Sequence, residues 1–160
     1  MEIKNKIIND LDLARLKLIS NLGDMDQDRE VFPGWRIKNF LDHISGWDEL
    51  VIKILESHRF AKKVEKISGL NEHNAESVAN RESLSYEESL RDFEKIREQL
   101  KQTILDFPFS LFEEPINFPW GGSGNIQEMV AIFSHHELEH EKEIKDFLKA
   151  HGEEVVGEIK

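Results

Sequence analysis

The stretch Ser134-His135-His136-Glu137-Leu138-Glu139-His140 lies inside a helix-patterned run from Asn125 to His151. Advancing about 100° per residue from Ile126 gathers Ile126, Met129, Val130, Phe133, His136, His140, Ile144, Phe147 and Leu148 on one face. Two imidazoles therefore project into an apolar stripe, whereas His135 falls on the polar side with Lys142 and Lys145. An i, i+4 pair of inward histidines suits a metal site on a helix, because both rings leave one face within reach of one ion. The third ligand has to come from another element. The competing reading is a pair of core histidines satisfied by polar neighbours.

Working outward, Asn125 with Glu128 three residues later reads as the cap of this helix, and Trp120-Gly121-Gly122-Ser123-Gly124 just before it lets the backbone turn sharply. The loop from Pro108 to Gly124 separates it from a third long helix. That helix opens with the capping-box spacing of Ser85-Tyr86-Glu87-Glu88, and Tyr86, Leu90, Phe93, Leu100, Ile104 and Phe107 line its inner face with Arg97 among them. Arg59 to Leu84 is a long connector with a short helix expected around Glu72 to Asn80, suited to forming one wall of a pocket. A second helix carries Ile37, Phe40, Leu41, Ile44, Trp47, Val51 and Leu55 and ends near His58, with His43 on the margin of its stripe. The first helix repeats Ile3, Ile7, Leu11, Ala14, Leu18 and Leu22 up to Gly23, and Asp24 to Gly34 is a polar loop. Four long amphipathic helices without a convincing alternating strand predict an all-α bundle, one domain over residues 1–160.

Composition narrows the chemistry. With 39% hydrophobic and 33% charged residues the 160-residue chain has the balance of a globular helical protein. The formal charge of -11 and the absence of a basic stripe argue against nucleic acid or an anionic membrane as partner. No apolar run approaches the roughly 18 residues that cross a bilayer, and the charged N-terminus lacks a signal peptide's apolar centre, so the cytoplasm is the expected compartment. The chain has no cysteine, so any metal is held by nitrogen and oxygen.

Two segments carry a family resemblance. Trp35-Arg36-Ile37-Lys38-Asn39-Phe40-Leu41-Asp42-His43-Ile44-Ser45-Gly46-Trp47 is similar to the tryptophan-led second helix of the DinB-like superfamily, and His136-Glu137-Leu138-Glu139-His140 resembles its fourth-helix HxxxH. Gly46-Trp47, the segment from Asn74 to Ser85 and the closing His-x-x-Glu-His look most like the ClbS/DfsB branch. The resemblance implies an up-down-down-up four-helix bundle, often a homodimer, whose pocket holds a divalent metal on one histidine from helix two and two from helix four. The family positions here are His43, His136 and His140. It further implies metal-dependent hydrolysis or thiol transfer on a small reactive molecule, and in the ClbS/DfsB branch protection of the cell by hydrolysis of a genotoxic product.

The remaining candidates divide by role. Glu137 and Glu139 can orient a ligand imidazole or act as a base, although helix carboxylates are commonly just solvated. Trp120, Arg97 and Trp47 are the candidate substrate-binding residues: Trp120 at a pocket rim, Arg97 for an anionic group unless it pairs with Glu94 or Glu98, and Trp47 unless it is simply core. His58, His73, His135 and His151 read as surface residues. Zinc or nickel suits an all-nitrogen ligand set, and three neutral imidazoles leave the ion's charge uncompensated, which acidifies a bound water toward neutral pH. The alternative is a binding or sequestering bundle that holds a small molecule without metal and without transforming it.

Overall fold

The computed structural model describes residues 2–22, 25–63 and 66–150. Within them run α1 (Glu2–Leu22), a hairpin of β1 (Glu30–Phe32) and β2 (Trp35–Arg36), α2 (Ile37–Arg59), α3 (Leu70–Ala79), α4 (Tyr86–Asp106), a 3-10 turn (Phe109–Leu111), a second hairpin of β3 (Ile116–Asn117) and β4 (Ser123–Gly124), and α5 (Ile126–Ala150). The predicted cap residues start the helices where expected. Ser85 Oγ accepts from the Glu88 amide at 3.1 Å and the Glu88 carboxylate accepts from Ser85 N–H at 3.0 Å, and Asn125 Oδ1 accepts from the Glu128 amide at 2.9 Å. Gly23 and His151, expected at helix ends, lie outside the described residues.

The core fixes the direction of every long helix. One apolar cluster joins Ile7 and Leu11 of α1, Val51, Ile54 and Leu55 of α2, Leu100 and Ile104 of α4, and Ile126, Met129 and Val130 of α5. The other joins Leu18 and Leu22 of α1, Phe40, Leu41 and Ile44 of α2, Phe93 of α4, and Ile144 and Leu148 of α5. The early residues of α1 thus share a layer with the early residues of α5 but with the late residues of α2 and α4. Helices α1 and α5 run parallel, α2 and α4 run parallel, and the two pairs oppose each other. This is an all-α, up-down-down-up four-helix bundle, in which the 60–85 connector carries the chain back along the bundle so that α4 can follow α2 in the same sense.

Three details differ from the sequence reading. The polar stretch before Trp35 contains β1, and Pro33-Gly34 forms the tip of a hairpin with Gly34 at φ +82. The loop after α4 likewise holds a hairpin, turned by Gly121 at φ +107 and Gly122 at φ +83, values that favour glycine. The short helix α3 starts earlier, at Leu70, and lies tight on α2: a Cβ built on Gly46 would collide with the Ser77 side chain.

Candidate metal site

Each histidine of the site is placed by a different part of the fold. The β1–β2 hairpin sets Trp35 at the start of α2, where its ring stands 4.9 Å from Phe40 and 5.2 Å from His43, edge to face. With Phe40 also 5.4 Å from the ring of His140, His43 is only 1% exposed. It is a core residue, which corrects the reading of a margin position; the hairpin and the facing helix cover the side of α2 that periodicity alone left open. Helix α5 supplies the other two rings, 4.2 Å apart. One ring nitrogen from each of His43, His136 and His140 lies within 4.8 Å of the others.

This donor set fits a divalent ion. Tetrahedral binding at about 2.0–2.1 Å needs nitrogens roughly 3.3 Å apart, inside the observed span. Ligand imidazoles must be neutral, and burial, followed by the neighbouring His140 and His136, lowers the His43 pKa from 6.5 to about 3. Burial and then His140 lower that of His136 to about 4, against a small opposing pull from Glu139. His140 Nδ1 stands 3.1 Å from Glu143 Oε2, the kind of carboxylate–imidazole contact that orients a ligand ring, and its Nε2 faces His43. Glu143 was not among the sequence candidates. Its signal is the i, i+3 spacing from His140, which the two carboxylates inside the HxxxH stretch overshadow.

Those two carboxylates go elsewhere. Glu137 is buried and bonds to Arg97 and, at 2.9 Å, to Arg15. Glu139 is exposed, 3.2 Å from His135, which is exposed as well. Arg97 binds no pocket: its Nε and a terminal nitrogen meet Asp48 at 2.9 and 3.1 Å and it also bonds Glu137. Burial opposes its charge, yet Asp48 and Glu137 outweigh that and hold its pKa above the ordinary arginine value. Its partners are thus on α2 and α5 rather than Glu94 or Glu98 on its own helix. Arg15 completes the group, reaching Asp48 at 3.2 Å and lying 3.6 Å over the Phe93 ring. Four helices contribute two guanidiniums and two carboxylates to one neutral, buried cluster.

Beside the histidines opens a pocket of about 310 Å³ lined by Trp47, Leu70, Trp120, Ile132 and Phe133, with Asn74, His135, His136 and Glu139 also on its walls. Two of the three substrate-binding candidates, Trp47 and Trp120, line it, and α3 supplies the connector wall through Leu70 and Asn74. Trp47 Nε1 donates to Asn74 Oδ1 at 2.7 Å, so its ring is held by hydrogen bonding as well as by packing. His58 and His73 are not simple surface residues: the first stacks on Phe107 at 6.0 Å and the second meets Trp47 edge-on at 4.5 Å. Two larger clefts, about 690 and 970 Å³, border α3, and neither is lined by His43, His136 or His140.

Comparison with solved structures places this geometry in context. The mycothiol-dependent maleylpyruvate isomerase superposes with a TM-score of 0.74 at 12% identity, over 88% of this chain and 60% of the isomerase. The chain therefore spans about three fifths of that protein. YfiT from Bacillus subtilis, a probable metal-dependent hydrolase with an unusual four-helix bundle topology, superposes with a TM-score of 0.72 at 13% identity over 94% of this chain and 89% of YfiT. At these identities the likeness is one of fold. No curated protein matches the chain in sequence. The profile of the DinB superfamily matches residues 14–144, which include all three histidines and the greater part of the four long helices, and the chain belongs to that superfamily.

Proposed function

We propose that this protein is a metal-dependent enzyme, a hydrolase or thiol transferase acting on a small electrophilic molecule, with zinc or nickel on His43, His136 and His140. The observation that carries the reading is the convergence of three ring nitrogens within 4.8 Å at the edge of an apolar pocket. The kinship of fold with a mycothiol-dependent isomerase and a probable metal-dependent hydrolase supports the same reaction classes. A self-protection role like that of the ClbS/DfsB branch is the narrower form of this proposal.

A divalent ion on three imidazoles supplies Lewis acidity with coordination positions left open. The chain's own residues do the rest. Burial keeps His43 and His136 neutral, so their lone pairs are available at neutral pH. Glu143 accepts from His140 Nδ1–H and holds that ring toward the other two. Trp47, Trp120 and Phe133 give one side of the site an apolar wall. Glu139 is the one carboxylate among the described lining residues and is the group suited to move a proton to or from substrate, whereas Glu137 is engaged by two arginines.

Metal analysis of protein purified without a histidine tag tests the reading. About one equivalent of zinc or nickel per chain after loading, lost in His136→Ala, is the expected result; less than about a tenth of an equivalent overturns it. A second reading, ion-free binding of a small molecule, is favoured by one contact: His43 Nε2 and His140 Nε2 lie 2.9 Å apart, a hydrogen bond that closes part of the cluster without an ion. Turnover beyond one equivalent of electrophile, abolished by His136→Ala, decides for the enzyme, and purely stoichiometric protection decides for sequestration.

A further inference from the structure

We propose that the 310 Å³ pocket is the tail site for the substrate, and that the substrate carries its reacting group on an uncharged apolar ring or chain. The identity of the reacting group rests on the metal-dependent reading above; the character of the tail does not. Among the described lining residues there is no lysine and no arginine. Arg97, the one guanidinium that the sequence offered for an anionic group, is spent on Asp48 and Glu137 inside the bundle. A carboxylate, sulfonate or phosphate on the tail would lose its hydration against aromatic walls and find no lysine or arginine among the polar lining residues Asn74, His135, His136 and Glu139.

Cationic side chains are not scarce nearby. The 690 Å³ cleft that borders α3 carries Lys53, Lys62, Lys63, Lys66 and Arg81. They line that cleft, interspersed with Glu49, Glu56, Glu72 and Glu76, and not the pocket beside His136.

The walls themselves describe the occupant. Trp47 and Trp120 stand 6.0 Å apart at 72°, and Phe133 meets them at 5.6 and 5.5 Å, three rings turned steeply to one another. An added flat ring finds both faces and edges there, the geometry that aromatic pairs favour. At the mouth, Leu70 is 51% and Ile132 46% exposed, two large apolar side chains bordering the cavity without cover. An apolar tail in the pocket covers both; a charged one covers neither favourably.

The test uses the full, metal-free chain and two probes that share one ring frame, neutral N-phenyl-1-naphthylamine and its sulfonated analogue 1-anilinonaphthalene-8-sulfonate. Salt at about 0.5 M screens the long-range repulsion of the acidic chain, so the comparison reads the pocket itself. Binding is followed by energy transfer from tryptophan to the dye. The expected result is that the neutral probe binds about tenfold tighter or more, and that Ile132→Asp and Trp120→Ala each weaken it by about tenfold, the scale of a lost apolar contact in a pocket. Equal or tighter binding of the sulfonate overturns the proposal, as does neutral-probe affinity unchanged by Ile132→Asp. That exposed position alone decides the matter should Trp120→Ala fail to fold. Zinc uptake after loading of the same preparations separates the two conclusions: a protein that refuses zinc but discriminates the probes loses the enzymatic reading and keeps the tail site, and the converse result does the opposite.

Discussion

Replacing Arg97 by methionine isolates what the buried charge cluster contributes. Methionine keeps an unbranched stem of similar reach and removes only the guanidinium. Asp48 and Glu137, with side chains 3% exposed, are then left facing each other with Arg15 as their sole remaining cation in the cluster, its side chain 12% exposed. Removing one partner of a buried ion pair costs about 3–5 kcal/mol, and here two carboxylates lose a partner at once. Ordinary domains hold only about 5–15 kcal/mol in total. At about 2–4 °C per kcal/mol for a chain of this length, Tm falls by about 6–20 °C. Urea unfolding followed by circular dichroism reads the loss directly. A variant within about 1 kcal/mol of the parent at neutral pH refutes the reasoning and returns Arg97 to the list of solvated side chains free to meet a substrate.

Three further outcomes are expected. Since the fold holds His43 near pKa 3 and His136 near 4, below the unfolded value of 6.5, metal-free protein keeps its full stability above about pH 6.5 and loses it as pH falls, because the unfolded chain then binds protons that the native rings refuse. Urea midpoints between pH 7.5 and 5 should show His43 alone contributing a slope approaching about 1.4 kcal/mol per pH unit, and an equally steep profile in His43→Gln would contradict this. Glu143→Gln weakens zinc binding by about 10–100-fold through loss of the carboxylate on His140, as measured by competition with a chromogenic chelator, whereas His135→Ala leaves it unchanged. Gly46→Ala forces Ser77 and α3 off α2, costing about 1–3 kcal/mol and speeding amide exchange across Leu70–Ala79; unaltered exchange there would mean that α3 yields without strain.

The helical architecture was legible because each long helix buries one face, and the period of 3.6 that this imposes survives in the residues themselves, from Ile7, Leu11, Ala14 and Leu18 in α1 to Ile126, Met129, Val130 and Phe133 in α5. The HxxxH pair was legible for the same reason. His43 was named only through the family resemblance and its burial escaped periodicity, because what buries it is Trp35 in a two-stranded hairpin too short to show alternation. The charge cluster was hidden more deeply: Arg15, Asp48, Arg97 and Glu137 come from four helices, and nothing local marks two of them as partners. Glu137 looked like part of the catalytic stretch by proximity in sequence, yet one residue along a helix turns a side chain about 100°, enough to send His136 to the pocket and Glu137 to the arginines.

The parallel pairing of α1 with α5 also has a temporal side. Ile7, Leu11, Leu18 and Leu22 find their α5 partners only in the fourth long helix of the bundle, made after the other three. At about 5–20 residues per second, the roughly 100 residues between Leu22 and Ile126 take about 5–20 s to emerge from a ribosome. During that interval the apolar stripe of the first helix is without its final cover, and the closure that completes it joins helices far apart in sequence, the kind of contact that slows folding. A nascent chain stalled before α5 should therefore engage holdase chaperones through α1, and release should coincide with synthesis of the segment that brings in His136 and His140.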